Sequence, residues 1–283
     1  MSSYVHKISE EVSSMSVLIV GELINTSRKA IKEAVEIRDA SYIQKVALEQ
    51  EKAGANYIDV NCGTRVYDEE ETMAWLVNTV QEVVTDIPLC IDSPNHKAIK
   101  VGLELHKNGQ PMVNSITAEK ERFNEVLPLI KEYKTKVVAL LMSDEGMPDS
   151  AEDRIKVVEN LLPRLLDNGI PAEDIYLDPL IKPISTGYLA GQEVLQTISY
   201  IKAKYPDVHM ICGLSNASYG LPNRKYLNRA FTINTMSFGM DSYILNPLDK
   251  ESMCLIYSSQ ALLGLDKHCK QFLKIHRKGL FED

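Results

Sequence analysis

The chain has 283 residues, 45% hydrophobic and 25% charged, which excludes a disordered chain and fits one large domain or two small ones. Its 31 basic and 39 acidic side chains leave a net charge of −8. No Lys/Arg cluster of the kind that makes a basic face appears, which argues against general nucleic-acid binding, and no apolar run reaches the roughly 18 residues that span a bilayer.

Residues 1–16 read as a polar N-terminal arm without the long apolar segment of a signal peptide; Met15 is an alternative natural start. From residue 17 two kinds of segment alternate. Short, continuously apolar runs, as expected of strands buried on both faces, are VLIVG (17–21), YIDVN (57–61), PLCID (88–92), PMVNS (111–115), VVALLM (137–142), IYLD (175–178), HMICGLS (209–215) and SYILN (242–246). Between them, helical periodicity covers 40–53, 72–84, 96–106, 118–133, 151–168, 191–203, 226–236 and 250–263. Asp39 and Ser150 are placed as N-caps. Gly54, Gly109, Gly169 and Gly239 fall where helices should stop. The basic stretch Lys267 to Lys278 reads as the solvated side of a C-terminal helix.

Eight strand–helix units in strict order predict a single α/β domain over 17–283, a closed (β/α)8 TIM barrel. A doubly wound open sheet shares the alternation, but no GxGxxG follows any strand. The five cysteines are odd in number and form no CxxC pair, which fits a reducing cytoplasm better than a disulfide scaffold or structural zinc.

In such a barrel the chemistry sits at the C-terminal ends of the strands. Those ends carry Glu22 and Asn25, Asp59 and Asn61, Asp92 and Ser93, Asn114 and Ser115, Asp178, Ser215 and Asn216, and Asn246. Taken singly, an Asp or Asn after a strand is as often a helix N-cap as a ligand. Seven strands ending this way point to a shared ligand, because buried carboxylates and amides need partners. Asp59 and Ser93 are the two that read as structural.

The rim is rich in Asp and Asn and poor in cations. A phosphate site calls for cations or a Gly-rich loop, and a metal site for clustered His and carboxylates. None of the six histidines closes a strand; His209 opens one, at the opposite end, which also leaves a Ser/His/Asp hydrolase unsupported. Carboxylates and amides suit a neutral heterocycle offering both N–H donors and carbonyl acceptors, such as the aminopyrimidine edge of a pterin.

The stretches GELIN (21–25), IDVNCG (58–63), LCIDS (89–93), MVNS (112–115), YLDPLI (176–181) and GLSNASYGLPNR (213–224) resemble, in order and spacing, the methyltetrahydrofolate:corrinoid methyltransferases. That family shares the pterin-binding barrel of dihydropteroate synthase and of the folate module in cobalamin-dependent methionine synthase. The resemblance implies methyl transfer between N5 of tetrahydrofolate (or 5-methyltetrahydrofolate) and the cobalt of a corrinoid (cobalamin). It assigns the pterin to Asp92, Asn114 and Asp178, and the approach to N5 to Asn216, with Asp92 helping to supply the proton through water. Arg224, Glu22 and Asn25 complete the implied site. No DxHxxG corrinoid motif is present, so the corrinoid is expected on a separate partner protein, with no metal bound to this chain. A cytoplasmic homodimer is implied. Tyr219 stands where acetogenic members carry glutamine, which suggests a branch serving demethylation of methylamine- or betaine-type compounds. The alternatives are a dihydropteroate synthase-like enzyme, disfavoured by the absence of that enzyme's lysine motif after the seventh strand, and a non-catalytic folate-binding protein.

Overall fold

Runs of apolar and β-branched residues form eight strands in the computed structural model, which describes residues 17–281; the polar arm expected over 1–16 lies outside the described residues. The strands are β1 (Leu18–Asn25), β2 (Tyr57–Asn61), β3 (Leu89–Asp92), β4 (Met112–Thr117), β5 (Lys136–Leu140), β6 (Ile175–Asp178), β7 (His209–Gly213) and β8 (Ser242–Leu245). Each pairs in parallel with its neighbour in sequence, and β8 closes on β1. The expected closed barrel is therefore the observed one.

The helices are α1 (Lys29–Glu36), α2 (Ala40–Lys52), α3 (Glu69–Gln81), α4 (His96–Leu105), α5 (Lys120–Tyr133), α6 (Ala151–Asp167), α7 (Ala190–Lys204), α8 (Arg224–Ser237), α9 (Lys250–Leu262) and α10 (Lys270–Arg277). Asp39 caps α2 by accepting from Tyr42 N. Ser150 and Asp153 form a reciprocal capping box on α6. Gly169 stops α6 at φ +82°, a left-handed conformation that costs glycine least.

Three of the differences from the sequence reading bear on the site. β1 continues past Gly21 to Asn25, with a register shift between Gly21 and Ile24. A Cβ at Gly21 would lie 2.5 Å from Gln50 Oε1, the atom that accepts from Leu23 N at 2.9 Å; glycine makes room for a side chain from α2 to carry the strand onward. β7 stops at Gly213, so Ser215 and Asn216 lie on a 3-10 turn, Leu214–Asn216. Helix α1 was not expected. It buries Ile31, Ala34 and Val35 but begins at Arg28 without a side-chain cap, so it lacks the usual start signal.

Alternation along the strands splits the core into two layers. Ile58, Val60, Leu89, Ile91, Val113, Ile175 and Leu177 face outward into the helix layer. Val20, Tyr57, Cys90, Met112, Val138, Tyr176 and Ile211 form a separate cluster that fills the barrel interior. Below that plug, at the strands' N-terminal end, His209 stacks on Tyr176 at 4.6 Å and contacts Asp241 at 3.0 Å. No helix among the described residues is long and apolar enough to cross a membrane.

Candidate functional site

One step of two residues beyond the inner plug places Glu22, Asp59, Asp92, Asn114 and Asp178 on the inward side of their strands, and a second step on β2 does the same for Asn61. The register aligns four of the strand ends: Asn25 pairs with Asn61, Asn61 with Asp92, and Asp92 with Asn114. Asn25, Asn61 and Asp92 are the last residues of their strands, while β4 continues past Asn114 to Thr117.

Asn61 Nδ2 donates to Asp92 Oδ2 at 2.7 Å, while Asn61 Oδ1 accepts from Gly63 N at 3.0 Å, which fixes the amide. Burial pushes the Asp92 carboxyl up to about 6, with the Asn61 hydrogen bond and the Arg122 guanidinium opposing the rise. Asp59, only 2% exposed, is pushed well above the carboxylate range by burial and by neighbouring Asp92, and the side chains of Cys90 and Asn114 lie against it. Its Oδ1 is buried without a hydrogen-bond partner. Asp59 therefore stands inside the candidate site, beside Asp92, where the sequence reading had set it apart as structural. Ser93 does have a structural role: its hydroxyl donates to Glu69 at 2.6 Å and accepts from Asn95 N at 2.9 Å.

Asp178 lies across the mouth on β6. It is 9% exposed, its Oδ1 accepts from Leu180 N at 2.8 Å, and burial raises its carboxyl to about 7, against the pull of that hydrogen bond and of Arg154. Asn216 is exposed on its turn, with Nδ2 donating to Ile181 O at 3.1 Å; the loops after β6 and β7 are also joined by Ile184 N donating to Ala217 O.

The other candidates have mainly local partners. Asn25 Oδ1 accepts from Ser27 N, an Asx turn leading into α1. Glu22 pairs with Arg28 at 2.6 Å. Arg224 donates to Ser218 Oγ at 3.1 Å and to Ser215 O, bracing the loop that carries Asn216. A cavity of about 220 Å³ lies beside Glu22, Ser215, Arg224 and Asn246. A larger one, about 710 Å³, lies over the loop after β5, lined by Asp144, Glu145, Met147 and Lys156; it touches none of the strand-end residues and does not belong with them.

Two arginines escaped the sequence reading. Arg122 of α5 donates to Ser93 O, Pro94 O and Ser115 O, at 2.7–2.9 Å. Arg154 of α6 binds the loop after β6 in the same manner. Among the described residues, no group of three or more His, Cys, Asp or Glu side chains is spaced to hold a metal ion.

In this parallel barrel the inward carboxylates and amides converge at the C-terminal end of the strands. Residues 21–246 match the family described as "Pterin binding enzyme", and the chain belongs to it. It is 34% identical to the methylcorrinoid:tetrahydrofolate methyltransferase of Eubacterium limosum, across 93% of this chain and 97% of that protein. It is 30% identical to the methionine synthase of Mycobacterium tuberculosis, matching 89% of this chain but only 22% of that longer protein. In structure it is similar to dihydropteroate synthase from Clostridium difficile, with a TM-score of 0.65, 19% identity, and coverage of 88% of this chain and 97% of that one. At that identity the likeness speaks for the fold alone.

Proposed function

We propose that this protein is a methyltransferase that moves a methyl group between N5 of tetrahydrofolate and the cobalt of a corrinoid carried on a separate protein. The observation that carries the reading is the 34% identity, over nearly the full length of both chains, to a protein named for methylcorrinoid:tetrahydrofolate methyl transfer. The strand-end chemistry agrees with it. Asp92 and Asp178 offer acceptors for the amino and ring N–H groups of a pterin, and Asn114 offers both a donor and an acceptor. Glu22, Asn25 and Arg224 border the same mouth, with Arg224 acting through the loop it braces.

In the direction from folate to corrinoid, cobalt(I) attacks the methyl carbon in line and the C–N5 bond breaks. Nitrogen leaves poorly as an anion, so N5 must gain a proton or a hydrogen bond as the bond opens. Asn216 is the donor in this reading. Its interaction strengthens as charge shifts onto N5, which is differential binding of the transition state. The amide holds no acidic proton at neutral pH, so the proton arrives through water near Asp92, whose carboxyl at about 6 suits exchange near neutrality. In reverse, N5 of tetrahydrofolate attacks methylcobalt at the same site.

The reading carries a single barrel over 17–283, a cytoplasmic location, which the five free thiols favour, and a homodimer, which the family resemblance favours. Mixing the protein with 5-methyltetrahydrofolate and cobalt(I) cobalamin tests the function. Loss of the cobalt(I) absorbance at a protein-dependent rate is expected. An unchanged spectrum alongside measurable folate binding would leave a folate-binding protein without this activity.

A further inference from the structure

Arg154 is fully buried, with a side-chain exposure of 0%. Burying a guanidinium is costly unless its donors are satisfied, and a residue of α6 packed against the barrel would ordinarily be apolar. The nearest carboxylate, Glu193 of α7, stands 3.5 Å away. The hydrogen bonds go instead to backbone carbonyls: Nε to Pro179 O at 2.6 Å, Nη2 to Leu180 O at 3.0 Å, and Nη1 to Ser150 O at 3.0 Å. Two of these carbonyls belong to the two residues that follow Asp178.

Leu180 adopts φ +53°, a left-handed conformation that is unfavourable for a non-glycine residue. That turn brings Leu180 N–H back onto Asp178 Oδ1 at 2.8 Å. The chain of contacts runs from a planar fork on α6, through two carbonyls held in an unfavourable turn, to the direction of one carboxylate. A fork of fixed geometry suits such a task better than a flexible ammonium.

We propose that Arg154 is a positioning residue for Asp178: by clamping Pro179 O and Leu180 O it holds the turn that aims the carboxylate into the barrel mouth. The proposal rests on the reading of Asp178 as a pterin acceptor. Asp178 faces Arg154 from α6 and the Cys212 thiol from β7, while Glu193, Asp149 and Asp153 face Arg154.

The test is tetrahydrofolate binding by the full chain between pH 5.5 and 9, followed by protein fluorescence, with unfolding curves for each variant. The parent should bind more tightly as pH rises through about 7, where Asp178 ionises. Arg154→Met should weaken binding at pH 7 by about tenfold or more and move the midpoint upward by about one pH unit, since a favourable positive charge is lost. Arg154→Lys keeps the charge and loses the fork, so its midpoint should stay near the parent's while affinity still falls severalfold. In an Asp178→Asn background, Arg154→Met should cost nothing further. Parental affinity and midpoint in a folded Arg154→Met would overturn the proposal, as would an equal loss in the Asp178→Asn background. Should Arg154→Met fail to fold, parental affinity in Arg154→Lys would overturn it. Parental affinity in Asp178→Asn alone would overturn the Asp178 reading and the proposal together, a result distinct from the others.

Discussion

Replacing Asp178 by Asn should make the ligand-free protein more stable while damaging its site. The carboxyl is nearly enclosed and raised from 3.8 to about 7. A tenfold change in proton affinity is worth about 1.4 kcal/mol, so ionising this group in the folded chain costs about 4 kcal/mol more than in the unfolded chain. A carboxyl raised on folding adds proton-linked stability at low pH, and that stability is lost as pH climbs from about 4 through about 7. Asparagine has the shape of the neutral acid and can still accept from Leu180 N. The gain over the parent should therefore be about 2 kcal/mol at pH 5 and about 4 kcal/mol at pH 8. Urea unfolding at the two pH values measures it. A variant no more stable than the parent at pH 8, or a difference that stays flat with pH, would refute the burial argument. The same substitution should weaken tetrahydrofolate binding about tenfold or more, because an acceptor-only group has become half donor.

Asn216→Ala should slow methyl transfer by about a hundredfold or more with tetrahydrofolate affinity within about threefold; parental turnover in stopped-flow mixing would remove Asn216 from the chemistry. Asn61→Leu deletes the 2.7 Å hydrogen bond that opposes the rise of Asp92. Loss of that bond lifts Asp92 above about 6, so the acid limb of the pH–rate profile should move to higher pH; a limb that stays put would separate Asp92 from the limiting ionisation. Ser150→Ala breaks the capping box of α6 and should cost about 1 kcal/mol, read as a lower urea midpoint, with folate affinity little changed at saturating stability.

The barrel was legible because its strands are buried on both faces. YIDVN and PLCID read as unbroken apolar runs punctuated by one acid each, and those acids are what alternation turns inward. That Asn61, Asp92 and Asn114 share one level of the barrel was legible for the same reason, and their pairing shows it. Ends set by side chains from elsewhere were not. β1 runs on because Gln50 feeds it, and nothing near Gly21 announces that. Asp59 misled because its position two residues before a strand end looks like core, whereas its neighbours on the next two strands are Asp92 and Asn114. Arg122 and Arg154 gave no local signal: each lies within a helix and bonds to backbone carbonyls, most of them about 25 or more residues away, a kind of partner that side-chain patterns do not encode.

The apolar plug of Val20, Cys90, Met112, Val138, Tyr176 and Ile211 has a consequence for timing. It stops the barrel like a cork, so protons that load or leave Asp92 and Asp178 travel by way of the open mouth. On the proposed function, a corrinoid protein seated over that mouth would close the same path. The protonation state present at the moment of docking would then be the one the reaction must use, so that pH would act on the encounter and not on the covered complex. Each turnover would begin with a charge setting chosen in open water and locked in by the arriving corrinoid protein.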